Sequence, residues 1–109
     1  MGIFAVGDVV LVPFPYADFS IFKKRPALVA GLTEFNNLIL CQITSKANTS
    51  TWAIPLNDRD FGEGGLNLDS YIRPDKIFTV EESIIEKKVG SLGIDKLESV
   101  RFQIREIFS

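Results

Sequence analysis

The chain breaks its apolar residues into short runs, and that limits what it can fold into. Asp8 to Phe14, Pro26 to Leu32, Leu38 to Ile43 and Trp52 to Leu56 are each five to seven residues long, and each is bounded by Pro, Gly, Asn or polar residues. Runs of this length rich in Val, Ile and Leu read as strands rather than helices. Asp69 to Ile72 and Lys76 to Val80 look like two further strands flanking Arg73-Pro74-Asp75, and Lys88 to Leu92 looks like a last one. Pro13 and Pro15 are expected to stop sheet pairing beyond the first run. Asn36-Asn37 marks a turn, because Asn tolerates positive φ. Residues 57–65 read as a loop or hairpin, and Glu81 to Glu86 as one helical turn.

One segment follows a different period. Ile94, Leu97, Val100, Ile104, Ile107 and Phe108 recur at spacings of three and four, which predicts an amphipathic terminal helix. Asp95 near its start suits the helix dipole. Many short strands followed by one helix give a mainly β chain, a small barrel capped by a C-terminal α-helix. At 109 residues the chain is a single domain, 1–109, able to bury a core without disulfide or metal.

The sequence contains no histidine. That removes histidine-based triads and acid–base pairs, and with a single cysteine it removes Cys/His zinc sites. Catalysis must draw on Arg, Lys, acidic or hydroxyl side chains, and no cofactor or metal is expected. Cys41 lies inside an apolar run and reads as a buried thiol. No basic leader or membrane-length apolar run is present, so a cytoplasmic protein is expected. The net charge of −2 means that any nucleic-acid binding rests on a local basic patch.

Residues 14–25 supply such a patch. Phe14, Tyr16, Phe19 and Phe22 are interleaved with Lys23, Lys24 and Arg25. Aromatic rings stack on splayed bases while cations follow phosphates; the same aromatics could equally pack into the barrel or a dimer interface. Arg25, just ahead of the second strand, could fork onto a phosphate or simply face solvent. Thr44-Ser45-Lys46 leaves the third strand with two hydroxyls and an ammonium, a phosphate-binding set or a polar turn. Arg73 and Asp75, two apart, share a face of an extended segment, for RNA or for a salt bridge that fixes the loop.

Taken together, these pieces resemble one family. Gly7-Asp8-Val9-Val10-Leu11-Val12, Arg25-Pro26-Ala27-Leu28-Val29, Gln42-Ile43-Thr44-Ser45-Lys46, Tyr71 to Val80 and Val89-Gly90-Ser91-Leu92 occur in the order seen in the PemK/MazF-like toxin endoribonucleases of type II toxin–antitoxin systems. The resemblance implies an SH3-like barrel, a homodimer, metal-independent cleavage of single-stranded RNA to 2′,3′-cyclic phosphate and 5′-hydroxyl ends, and a cognate antitoxin. It implies Arg25 and Thr44 as the catalytic pair with Ser45 assisting. RNA contacts would come from Phe19, Lys23, Lys24, Lys46, Arg73 and Asp75. Many members carry Gly and Gln in the loop before the Arg-Pro block, whereas this chain has Asp18 to Lys24 without either. The competing readings are a catalytically inactive nucleic-acid- or protein-binding barrel, and a module whose aromatic loop binds a protein.

Overall fold

The structure, a computed structural model, describes residues 3–15, 22–46 and 50–109, and for 14, 15 and 22 the backbone. Seven strands form one antiparallel, curled half-barrel: β1 (Asp8–Pro15), β2 (Phe22–Leu32), β3 (Asn37–Thr44), β4 (Ile54–Leu56), β5 (Phe61–Gly64), β6 (Ser70–Glu81) and β7 (Lys87–Leu92). Their spatial order is β4-β6-β3-β2-β1-β7-β5. Helix α1 (Ile94–Ile107) closes the chain.

Alternation along the central strands sends successive side chains to opposite faces, and both faces are covered. On one, Val9, Leu28, Cys41, Ile43 and Ile72 pack with Leu97 and Val100 of α1. On the other, Val10, Val12, Ala27, Val29 and Leu40 pack with Ile85, and Phe4 and Phe78 lie against them. Continuous β-branched runs rather than strict apolar–polar alternation follow from this double burial. The helical stripe is narrower than its spacing predicts: Leu97 and Val100 are buried, while Ile94 and Phe108 stand 65% and 76% exposed.

Three expectations change. Pro13 and Pro15 do not stop β1, which pairs with β2 as far as Pro15↔Phe22. Among the described residues β7 pairs with Asp8 to Leu11 alone, so these prolines sit on a stretch of that edge with no described strand beside it, where a missing N–H costs little. Residues 70–72 and 76–80 are not two strands but parts of β6, which begins at Ser70. The register against β3 jumps from Cys41↔Ile77 to Gln42↔Arg73, and Pro74, Asp75 and Lys76 fill the bulge. Residues 51–52 form a turn, and the fourth strand starts at Ile54.

The β2–β3 turn lies one residue earlier than expected. Phe35 and Asn36 both have φ near +60°, the pattern of a type I′ hairpin, and Asn37 N–H closes it on Glu34 O at 3.1 Å. The opening Gly-Asp is architectural. Gly7 N–H donates to Val29 O at 2.9 Å, and the buried Asp8 carboxylate accepts from Ala5 N–H at 2.9 Å.

Candidate active site

Arg25 lies four residues into β2, opposite Val12, and not at a strand start. Its backbone is therefore fixed by the ladder on the β1 side. Strand β2 pairs with β3 at Ala27↔Gln42. The β2–β3 pairing ends at that point, and Arg25 and Thr44 each lie two residues beyond its last pair. Thr44 is paired in turn with Tyr71, and Gln42 with Arg73.

Thr44 is buried, 8% exposed, and its Oγ1 accepts the Lys46 N–H at 3.2 Å. That bond turns the chain at the end of β3 and fixes the hydroxyl. Ser45 and Lys46, just beyond, are exposed. Lys23, Lys24, Arg25 and Ser45 line a cleft of about 240 Å³, with Ile43 among its walls. Thr44 flanks this cleft from β3 rather than lining it.

Lys24 and Arg73 are held by carboxylates. The Lys24 ammonium ion-pairs with Glu86, in the segment leading to β7, with both side chains largely exposed. Arg73 is buried and donates from Nε and Nη2 to the two oxygens of Asp75 at 3.0 and 2.8 Å. The hydrogen bond from Arg73 is the main reason that the Asp75 carboxyl sits below the usual carboxylate range. The salt bridge weighed from the sequence is therefore present, at the β6 bulge. Phe19 falls outside the described residues, as do Tyr16 and the side chains of Phe14 and Phe22.

Cys41 is fully buried, and burial, with a smaller contribution from the Asp75 charge, pushes its thiol up to about 12. It is no nucleophile at neutral pH. Among the described residues no three His, Cys, Asp or Glu side chains come together as a metal site, and no helix is long and apolar enough to cross a membrane.

The far wall of the cleft was not anticipated. It is formed by Leu66, Asn67 and Leu68, in the segment between β5 and β6, together with Ser70. Nothing local marks Leu-Asn-Leu as a site, since its role depends on the chain returning to face β2.

Residues 5–108 match the model of the PemK-like, MazF-like toxins of type II toxin–antitoxin systems. The chain belongs to this toxin family. No curated protein matches it in sequence. Among solved structures, a mycobacterial endoribonuclease in complex with its cognate antitoxin is 13% identical, with a TM-score of 0.73 over 94% of this chain and 91% of that one. MazF in a MazE–MazF complex from Deinococcus radiodurans is 20% identical, with a TM-score of 0.70 over 94% of each chain. The Mycobacterium tuberculosis toxin MazF-mt6 is 18% identical, with a TM-score of 0.67 over 91% of this chain and 95% of that one. At these identities the likeness is one of fold: the half-barrel with its terminal helix is shared across nearly the whole chain.

Proposed function

We propose that this toxin is an endoribonuclease that cuts single-stranded RNA at short sequences without a metal. The observation that carries the reading is the cleft that Arg25 lines together with Lys23, Lys24 and Ser45, with Thr44 adjoining Ser45 at the end of β3. RNA brings its own nucleophile. The 2′-hydroxyl gives up its proton and bonds to phosphorus, the bond to the 5′-oxygen breaks, and that oxygen takes a proton. The products are a 2′,3′-cyclic phosphate and a 5′-hydroxyl.

Arg25 supports this as a fixed cation. A guanidinium stays protonated throughout, so its contribution is to stabilise charge on the phosphorane, not to shuttle protons. Thr44 positions the phosphate and Ser45 assists. Lys23, Lys24 and Lys46 follow the flanking phosphates, and Phe19 offers a stacking surface. Arg73, with Nε and Nη2 held by Asp75, presents Nη1 to RNA, and Asp75 fixes its orientation.

The partners follow from the same surface. A cationic cleft accepts an acidic, partly disordered antitoxin segment as readily as it accepts RNA. Two copies of the chain form the active homodimer, acting in the cytoplasm. The inactive-barrel reading draws on one observation, the neutralisation of Lys24 by Glu86 inside the basic group.

The deciding experiment incubates purified protein with a long, mixed-sequence single-stranded RNA in excess EDTA, with Arg25→Ala alongside. Discrete fragments ending in cyclic phosphate, from wild type only, support the ribonuclease. Intact RNA at high concentrations of folded protein supports the inactive barrel.

A further inference from the structure

The cleft beside Arg25 has a composition that phosphate binding does not require. Its lining is mixed: Pro26, Leu66 and Leu68 form an apolar part over the fully buried Ile43, beside the basic and hydroxyl side chains. Asn67 stands exposed on the same wall, and its amide makes no hydrogen bond to any other described residue. The wall that carries it is held at both ends. Leu66 packs against the barrel core, and the Ser70 hydroxyl donates to Leu68 O at 2.9 Å.

A volume of about 240 Å³ is below the roughly 300–1,000 Å³ of sites for drug-sized ligands. It suits a single flat ring system. An apolar patch with a side-chain amide at its rim, next to cations, suits an extruded nucleobase, whose faces pack on apolar groups and whose edge carries adjacent donors and acceptors. An amide presents one donor group and one acceptor side by side, and so can form two hydrogen bonds to one base edge.

We infer that this cleft is a base pocket in which Asn67 reads the edge of the nucleotide whose phosphate lies at Arg25. The inference rests on the ribonuclease reading for its role in cleavage, and on the cleft alone for base binding. Asn67 is thus the specificity-determining residue for one position of the target sequence. Arg25 holds the phosphate, Pro26, Leu66 and Leu68 flank the base, and Asn67 distinguishes one base from another.

The test uses two readouts on wild type, Asn67→Ala, Asn67→Asp and Arg25→Ala. The first is the base preference at each position around the cut, from sequencing the fragments of a randomised RNA. Asn67→Ala is expected to keep cutting while losing about tenfold or more of its discrimination at one position. Asn67→Asp, which replaces the donor by an acceptor, is expected to favour a different base there. The second is binding of single-base-varied 2′-deoxy oligonucleotides, which lack the nucleophile, followed by fluorescence anisotropy. Wild type is expected to discriminate at one position and Asn67→Ala to bind all variants alike. Cleavage with an unchanged preference profile in both Asn67 variants overturns the pocket and leaves the ribonuclease standing. Selective binding lost in Asn67→Ala, without cleavage by wild type, leaves the pocket standing and overturns the ribonuclease. Binding by wild type that is indifferent to base identity overturns the pocket.

Discussion

Arg73 grips Asp75 with two parallel hydrogen bonds, Nε to Oδ1 at 3.0 Å and Nη2 to Oδ2 at 2.8 Å, across the bulge that interrupts β6. The Arg73 side chain is 10% exposed and that of Asp75 24%, so solvent screens the pair only in part. Asp75→Asn leaves a buried guanidinium without its counter-charge and is expected to destabilise the fold by about 1–3 kcal/mol, read from urea unfolding. Because the Asp75 carboxyl is lowered in the folded chain, its contribution is complete above the unfolded value of about 3.9 and is lost as pH falls through the lower folded value. The gap between wild type and Asp75→Asn should therefore be constant near neutrality and shrink below about pH 4. A gap that stayed constant into that acid range would show that the charge on Asp75 contributes nothing.

Much of this was readable in the chain itself. Val9-Val10-Leu11-Val12 and Leu38 to Ile43 are too short and too β-branched for anything but strands, and the three- and four-residue spacing after Gly93 specified the helix. Arg25 and Thr44 could be picked out by their order along the chain, yet that both lie just past the end of the β2–β3 pairing emerges only from the fold. What failed was the treatment of proline as a terminator. Pro13 and Pro15 are admitted by an edge with no described strand beside it and Pro74 by a bulge, both properties of neighbouring strands rather than of the local sequence. Asn67 was missed for the same reason.

Arg25 and Thr44 should differ in how they fail. Arg25→Ala is expected to lower the cleavage rate about 10²–10³-fold, the usual effect of losing one preorganised donor to a developing oxyanion. Thr44→Val keeps the shape of a nearly buried side chain and removes the hydroxyl. Its loss should be smaller and should fall on kcat rather than KM, since Thr44 positions the phosphate without being a main source of affinity. Steady-state kinetics on a short RNA containing the cut site checks both, and a Thr44→Val protein with only its KM raised would reassign Thr44 to ground-state binding.

Glu86 restrains the basic group through Lys24. Both side chains are well exposed, so the pair itself is weak. Its consequence for RNA is an ammonium that must leave a carboxylate before it meets a phosphate. Glu86→Gln is expected to tighten RNA binding about two- to fivefold. Lys23→Ala should reduce the slope of log affinity against log salt by about 0.7, the value for one contact to a single strand. Salt titrations by anisotropy measure both. Unchanged affinity in Glu86→Gln would remove the competition.

Cys41 provides a test of burial. With its thiol pushed up to about 12, it carries almost no thiolate at pH 8 and has no exposed surface. Iodoacetamide should leave the native protein unlabelled and modify it stoichiometrically in urea. Cys41→Ala should retain cleavage once folded, at a stability cost of about 1–2 kcal/mol for the lost sulfur contacts. Fast labelling of the native protein would mean that the β3–β6 pairing around Cys41 opens readily.

Gly64 determines where the cleft wall begins. It sits at φ +68°, opposite Gly90, and a Cβ built on it would overlap the Val89 carbonyl. Gly90 meets it in kind, since a Cβ there would come within 2.6 Å of Glu63 O. The two strands approach this closely because neither residue has a side chain. Gly64→Ala adds a left-handed strain of about 1–2 kcal/mol and forces β5 away from β7. The variant should lose about 2 kcal/mol or more in total. The following segment, Gly65 to Asp69, carries Asn67, so displacement of β5 should also blur base preference at the cut while leaving Arg25-dependent cleavage measurable. Thermal unfolding and fragment sequencing on the same preparation separate the two effects. A destabilised Gly64→Ala with an unaltered preference profile would mean that Leu66 and Ser70 hold the wall independently of β5.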